Sequence, residues 1–127
     1  MKVGGIALRV DGALRFIPAS VAVKVAAAPR VARVAGTPED LLGIALHEGA
    51  IMPVLSIGEA RDCMVVCDHR GELLGLVGGT VVRTGMFDVV GARADCVSVD
   101  GDEAKLLDVA SIYARVQARA DAGRWGG

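Results

Sequence analysis

Aromatic side chains are scarce in this chain of 127 residues, which contains two phenylalanines, one tyrosine and one tryptophan. Proteins that hold single-stranded nucleic acids stack the bases on aromatic side chains, so this scarcity argues against such a platform. The formal net charge at pH 7 is −1, and the chain therefore also lacks the basic excess that attracts phosphate backbones. We expect no nucleic-acid partner.

Long uncharged apolar runs are missing as well. The longest lie near Gly49–Gly58 and Leu73–Val82, and both fall well short of the roughly 20 apolar residues of a membrane-spanning helix. The N-terminal apolar run is short and is interrupted by Arg9, unlike that of a signal peptide. We therefore expect a cytoplasmic protein with no direct membrane insertion.

The cysteines offer no metal or disulfide pattern, because there are three of them and none has CxxC spacing. Cys63 and Cys67 have the same parity, so in a strand both side chains point to one face. We interpret them as small apolar core residues in preference to a metal or redox site.

The nearest approach to a catalytic pair is His47 beside Glu48. Neighbouring strand residues point to opposite faces, so these two side chains would not converge on one substrate. Hydrolysis and metal binding need several such groups held together. The sequence therefore predicts no catalytic residue, no metal and no cofactor, and we expect a protein that is not an enzyme.

Valine, alanine, leucine and glycine are abundant, and this composition favours strands and tight turns. Asp11-Gly12 and Asp100-Gly101 each separate two apolar segments, which is the pattern of a two-residue hairpin turn. The polar segment Gly58–Asp62 is predicted to connect two halves, and Gly85–Val90 to form a loop. The predicted strands are Ile6–Val10, Ala13–Ile17, Val21–Ala26, Ile44–His47, Ala50–Leu55, Cys63–Cys67, Glu72–Val77, Thr80–Thr84, Ala94–Val99 and Ala104–Leu107.

The strand Val21–Ala26 has valine at alternate positions. Such alternation predicts a buried valine face, with Lys24 on the opposite face. A short helical turn is predicted before the hairpin at Glu48-Gly49 in the chain. Thr37 can cap this helical turn, and Gly43 would end it.

The last predicted element is a helix over Val109–Ala122. Asp108 can cap it, and an apolar stripe at helical spacing predicts its packed side. That stripe consists of Val109, Ile112, Tyr113 and Val116. Gly123 is expected to end the helix, and residues 123–127 to form a flexible tail.

Two sets of about five short strands joined by glycine turns favour small β-barrels, within a single domain over residues 1–127. The stretch Gly36–Ile57 also resembles the CheW-like adaptor domain of bacterial chemosensory systems. That family usually has a Leu-Leu-Gly or similar, a Gly-Val-Ile-Asn-Leu-Arg-Gly hairpin and then Pro-Val-Val-Asp-Leu. The matching residues here are Leu41, Leu42, Gly43, Ile44, Gly49, Pro53, Val54 and Ile57.

The resemblance implies a mainly β fold of two intertwined five-stranded SH3-like barrels packed together, with the C-terminal helix against them. It also implies partners. One barrel would contact the regulatory domain of a CheA-type histidine kinase, and the groove between the barrels would accept the cytoplasmic tip of a chemoreceptor. The partner-binding residues carried over from the family are Ala22 and Lys24 on one strand and Leu46, His47 and Glu48 at the hairpin.

Two departures from the family concern charge. Glu48 stands where the family usually has an arginine, and Lys24 stands where some relatives have an acid. An arginine grips a carboxylate that a glutamate would repel. We therefore hypothesise that Lys24 and Glu48 form a charge-swapped pair of rim sites. The chain would then use a partner with matching swapped charges, or it has lost one of the two usual contacts.

Two further readings stay open at this point. One is a stand-alone barrel that binds another signalling protein outside any array. The other is a small barrel enzyme or ligand carrier, against which stands the absence of convergent titratable groups.

Overall fold

In a computed structural model the chain is described over residues 1–32, 41–92 and 95–126, with side chains as far as residue 118. Ten strands precede one helix in this part of the chain. The strands are β1 (Lys2–Val10), β2 (Ala13–Pro18), β3 (Ala22–Ala27), β4 (Leu41–His47), β5 (Ala50–Ser56), β6 (Cys63–His69), β7 (Glu72–Val77), β8 (Gly79–Val89), β9 (Cys96–Val99) and β10 (Asp102–Leu106). The helix α1 spans Val109–Gly126.

Two-residue turns join the strands of four hairpins, and each ends in glycine. The φ values of the turn residues lie between 48° and 90°. This left-handed geometry matches the twist of the flanking strands and is tolerated best by glycine, asparagine and aspartate. The turns are Asp11-Gly12, Glu48-Gly49, Arg70-Gly71 and Asp100-Gly101. The predictions of hairpin turns at both Asp-Gly pairs are confirmed.

The strands form two five-stranded sheets. The first is a closed barrel with the order β1-β2-β10-β9-β8, and the second has the order β3-β6-β7-β5-β4. The chain therefore leaves the barrel after β2, builds the whole second sheet and returns with β8. The predicted fold class is confirmed: the chain is mainly β, with two five-stranded units and a C-terminal helix.

The second sheet is curled rather than flat. In the described residues, one isolated bridge links its edge strand β4 to Ala32, and Ala32 and Ile44 exchange backbone hydrogen bonds of 2.9 and 3.1 Å. Ala32 follows β3 in the chain, so this bridge brings the two ends of the sheet together. The first sheet is thus closed into a barrel by strand pairing all round, whereas in its described part the second is an open sheet whose ends meet only at this bridge.

The hydrophobic residues form three clusters. One lies inside the first barrel and contains Phe16 and Phe87, whose rings meet edge to face at 5.6 Å. Another lies inside the second sheet around Met52 and Val66. The largest fills the space between the two sheets and the helix. Strands such as β1 and β6 are therefore buried on both faces, which explains their nearly continuous apolar sequences.

Helix α1 packs on the cluster between the sheets through its predicted apolar stripe. Val109 and Val116 are 5% and 4% exposed, and Ile112 and Tyr113 pack beside them. Asp108 caps the helix as predicted: its Oδ1 accepts the backbone N–H of Ser111 at 3.0 Å, and its Oδ2 accepts the Ser111 hydroxyl at 2.8 Å. The backbone bond and then the hydroxyl bond hold the pKa of Asp108 below its ordinary value.

The predicted buried valine face of the third strand is wrong. Val23 and Val25 are 56% and 39% exposed, while Ala22 is buried. The cause is an irregularity in pairing: Ala22 pairs with Cys67 and Lys24 with the adjacent Val66, so Val23 is an extra residue. A bulge of this kind breaks the two-residue alternation from which the prediction was drawn.

Three predicted boundaries also differ from the structure. The loop predicted from Gly85 is strand, because β1 pairs with β8 from Gly79 to Asp88. Helix α1 continues through Gly123 to Gly126, since a glycine inside a helix costs only about 1 kcal/mol relative to alanine. The helical turn predicted to end at Gly43 is replaced there by β4, and its capping residue Thr37 lies outside the described residues.

Candidate interaction surface

Lys24 and Glu48 meet where β3 faces the turn between β4 and β5. The Nζ atom of Lys24 donates a hydrogen bond of 2.9 Å to Oε1 of Glu48. β3 and β4 are opposite edges of the second sheet, so this ion pair crosses the gap between them. Glu48 reaches across because it occupies the first position of a tight turn with a φ of 49°.

The electrostatics of this corner favour a charged Glu48. The hydrogen bond from Lys24, the charge of Lys24 and then His47 hold the pKa of Glu48 below its ordinary value. The Nε2 atom of His47 lies 3.8 Å from the same carboxylate oxygen. Lys24 and Glu48 therefore compensate each other in the isolated protein. They do not present two independent charges to the solvent.

An apolar patch lies beside this ion pair on the outer face of β4 and β5. Leu46 and Ile51 are opposite each other in the hairpin and are 73% and 72% exposed. Ile44, two residues before Leu46 in β4, lies on the same face and is partly exposed. The patch borders a shallow groove of about 470 Å³, whose other wall is the segment from Arg30 to Ala32. Exposed apolar side chains that are contiguous are typical of interaction surfaces.

The structure brings together most of the residues predicted to bind a partner. Lys24, His47 and Glu48 form one contact group, and Leu46 precedes them at the surface. Ala22 differs, because its side chain is buried in the cluster between the sheets and is not available to a partner.

Sequence reasoning missed Ile51 as a member of this surface. A signal for it existed. A two-residue turn at Glu48-Gly49 pairs His47 with Ala50 and therefore Leu46 with Ile51, which places both side chains on one face. Val23 was also missed as a surface residue, and the bulge that exposes it has no sequence signature here.

Elsewhere in the described residues, metal-binding groups, reactive thiols and a membrane-spanning helix would each indicate another function. No three His, Cys, Asp or Glu side chains among them lie close enough to hold a metal ion. Cys63, Cys67 and Cys96 are free thiols, and burial raises the pKa of Cys67 to about 12. Within the same part of the chain, α1 lacks the apolar length of a membrane-spanning helix.

Comparison with known proteins identifies the architecture. No family model matches the sequence, and no curated protein matches it. Among solved structures, the chain is similar to the scaffolding protein TtCheW from Thermoanaerobacter tengcongensis, with a TM-score of 0.70 and 15% sequence identity. The match covers 86% of this chain and 90% of that protein. The chain therefore adopts a CheW-like fold.

Proposed function

We propose that this protein is a non-enzymatic, CheW-like adaptor of a bacterial chemosensory pathway. It would couple the cytoplasmic tip of a chemoreceptor to the regulatory domain of a CheA-type histidine kinase, or modulate that coupling, in the cytoplasm at receptor arrays. The observation that carries the proposal is the exposed Leu46–Ile51 patch beside the Lys24–Glu48 ion pair, on a fold similar to that of a scaffolding protein. An apolar contact with charges at its rim is what a helical tip requires.

The polarity of the ion pair supports a dedicated partner. The resemblance described above has an acid at the position of Lys24 in some relatives and an arginine at the position of Glu48. Glu48, paired with Lys24 through Oε1, offers a partner carboxylate none of the donors that the arginine would supply, whereas its other carboxylate oxygen can accept from a partner cation. We therefore propose that the receptor tip recognised by this chain carries the reversed charges at its contact positions.

The contact between Lys24 and Glu48 decides how this proposal is tested. The single variant Glu48→Arg would leave Lys24 without its partner and would place two positive charges side by side. The double variant Lys24→Glu/Glu48→Arg keeps a pair but reverses its direction. It should capture the cytoplasmic tip fragment of an ordinary chemoreceptor at least about tenfold more tightly than the natural sequence, because the arginine supplies a charge-assisted hydrogen bond that Glu48 cannot.

A second ion pair provides a matched control. Lys2 Nζ lies 3.9 Å from Asp88 Oδ1 on the barrel that contains β1 and β8. The variant Lys2→Asp/Asp88→Lys reverses that pair at the same net charge and should leave capture of the tip unchanged. Equal effects of the two reversals would show that capture does not depend on the position of the reversed pair and would contradict the proposed contact.

The same assay distinguishes the alternative function. A stand-alone interaction module that has lost one contact would bind the kinase regulatory domain but no receptor tip, in either polarity. Binding of neither the kinase domain nor a tip, by the natural sequence and by the double variant, would refute the adaptor proposal.

A further inference from the structure

A second cleft, of about 560 Å³, lies where the two sheets and the helix meet. It has no residue in common with the Lys24–Glu48 surface. Its walls come from the β1–β2 hairpin, the segment that joins β5 to β6, and α1. A volume of this size is within the range of small-molecule sites, which is about 300–1,000 Å³.

Three arginines from three different elements line this cleft: Arg15 of β2, Arg61 of the connecting segment and Arg115 of α1. Arg61 is held in place, since its Nη1 donates to the carbonyls of Gly58 and Ala60 at 2.7 and 2.9 Å. Arg15 is half-buried, and its one described hydrogen bond is a long one of 3.4 Å to the carbonyl of Leu14.

Carboxylates do not neutralise these arginines in the described structure. Over residues 1–32, 41–92 and 95–118, no acidic oxygen lies within 4 Å of the guanidinium group of Arg15, Arg61 or Arg115. Asp11 and Glu59 also line the cleft. However, Oδ1 of Asp11 is engaged by the backbone N–H of Glu59 at 3.0 Å. The lining thus carries three arginine charges against two carboxylate charges, Asp11 and Glu59, which leaves an excess of one positive charge.

The chemistry of the lining favours a phosphate. A guanidinium group presents several donors in a planar fork, and a single arginine can satisfy the two oxygens of a carboxylate. Three arginines from separate elements suit a group with three free oxygens, although the Nη1 donors of Arg61 are already bonded to two carbonyls. Val10, Ile57 and Ile112 add an apolar wall that suits an organic substituent.

We propose that this cleft is a binding site for a small organic phosphate monoester. Arg15 and Arg115 bind the phosphate oxygens, Arg61 orients the phosphate from the connecting segment, and the apolar wall contacts the ester group. The site uses none of the residues of the Lys24–Glu48 surface, so its test does not depend on the outcome of the tip-capture assay. A bound ligand would tie the first barrel, the connecting segment and the helix together and would stabilise the folded chain by mass action.

Isothermal titration calorimetry with the full chain tests this site, using phenyl phosphate, benzoate and phenol as probes. Phenyl phosphate should bind with saturation, benzoate at least about tenfold more weakly, and phenol not at all, because the phosphate supplies the recognised oxygens. Arg15→Gln and Arg115→Gln should each weaken the binding of phenyl phosphate at least about tenfold. Arg115 is exposed, so its substitution leaves the packing intact even if that of half-buried Arg15 does not.

Arg70→Gln is the matched control, since Arg70 is exposed in the β6–β7 turn and does not line the cleft. It should bind phenyl phosphate like the natural sequence. The proposal is overturned if phenyl phosphate shows no saturable binding at millimolar concentration, if benzoate binds equally well, or if Arg70→Gln and Arg115→Gln weaken binding to the same extent.

Discussion

Gly78 lies at the junction of the two sheets, and replacing it with alanine should weaken the fold by a measurable amount. Its φ is 130°, a conformation that side chains rarely adopt. An added Cβ would meet the backbone nitrogen of Gly58 far inside van der Waals contact and would lie 2.7 Å from the Gly58 Cα. The opposing atoms belong to the backbone of the segment that joins β5 to β6, so they cannot rotate away as a side chain could.

Two costs add up at this position. Holding a residue other than glycine at such a φ costs about 1–3 kcal/mol. Displacing the facing backbone adds about 1–3 kcal/mol more, as overpacking does in cores. The displacement would also strain the neighbouring hydrogen bond of 2.8 Å from Ile57 N–H to the Val77 carbonyl. We therefore expect the free energy of unfolding of Gly78→Ala to fall by about 2–6 kcal/mol.

Gly85 offers a control that separates the two costs. Its φ is 140°, close to that of Gly78, but a Cβ there would meet nothing within 4 Å. Gly85→Ala should therefore show only the backbone cost. Urea unfolding followed by circular dichroism measures both variants, and Gly78→Ala should be the less stable by about 1–3 kcal/mol. Equal stabilities would refute the inferred close contact between Gly58 and Gly78.

Three further predictions concern other contacts. Lys24→Met should raise the pKa of Glu48 toward its ordinary value, which NMR titration of the side-chain carboxyl would measure. In the natural sequence, the stabilisation by this ion pair is complete above pH 4.5, the ordinary pKa of the carboxyl. It is lost as the pH falls through the lower pKa of the folded state. Glu72→Gln should lower the pKa of Tyr113, which burial and then Glu72 raise, in an ultraviolet titration of this single tyrosine. Phe87→Ala should lower the free energy of unfolding by about 3–5 kcal/mol in urea, because the ring is 1% exposed inside the barrel.

The local elements were predictable because short-range geometry determines them. Asp-Gly between apolar segments needs only the φ preferences of two residues, and both such turns form hairpins. The capping of α1 by Asp108 and the packing of its stripe likewise follow from spacing within a few residues. The resemblance around Leu41–Ile57 led to the correct fold class, although the capping turn predicted to precede it is strand where the structure describes it.

The features that tertiary structure decided depend on which distant strands pair. The bulge at Val23 arises from the register of β3 against β6, and the length of β8 arises from its pairing with β1. The candidate interaction surface also depends on tertiary structure, because it joins Lys24 of β3 to the turn between β4 and β5.

By itself, then, the sequence determined the turns, most of the strands and the helix with its buried stripe, since each of these rests on neighbours in the chain. Only the tertiary structure decided that Lys24 and Glu48, 24 positions apart, form one ion pair, and that three arginines from separate elements line one cleft. The physical reason is that closing the curled sheets sets distances between side chains that no local pattern encodes.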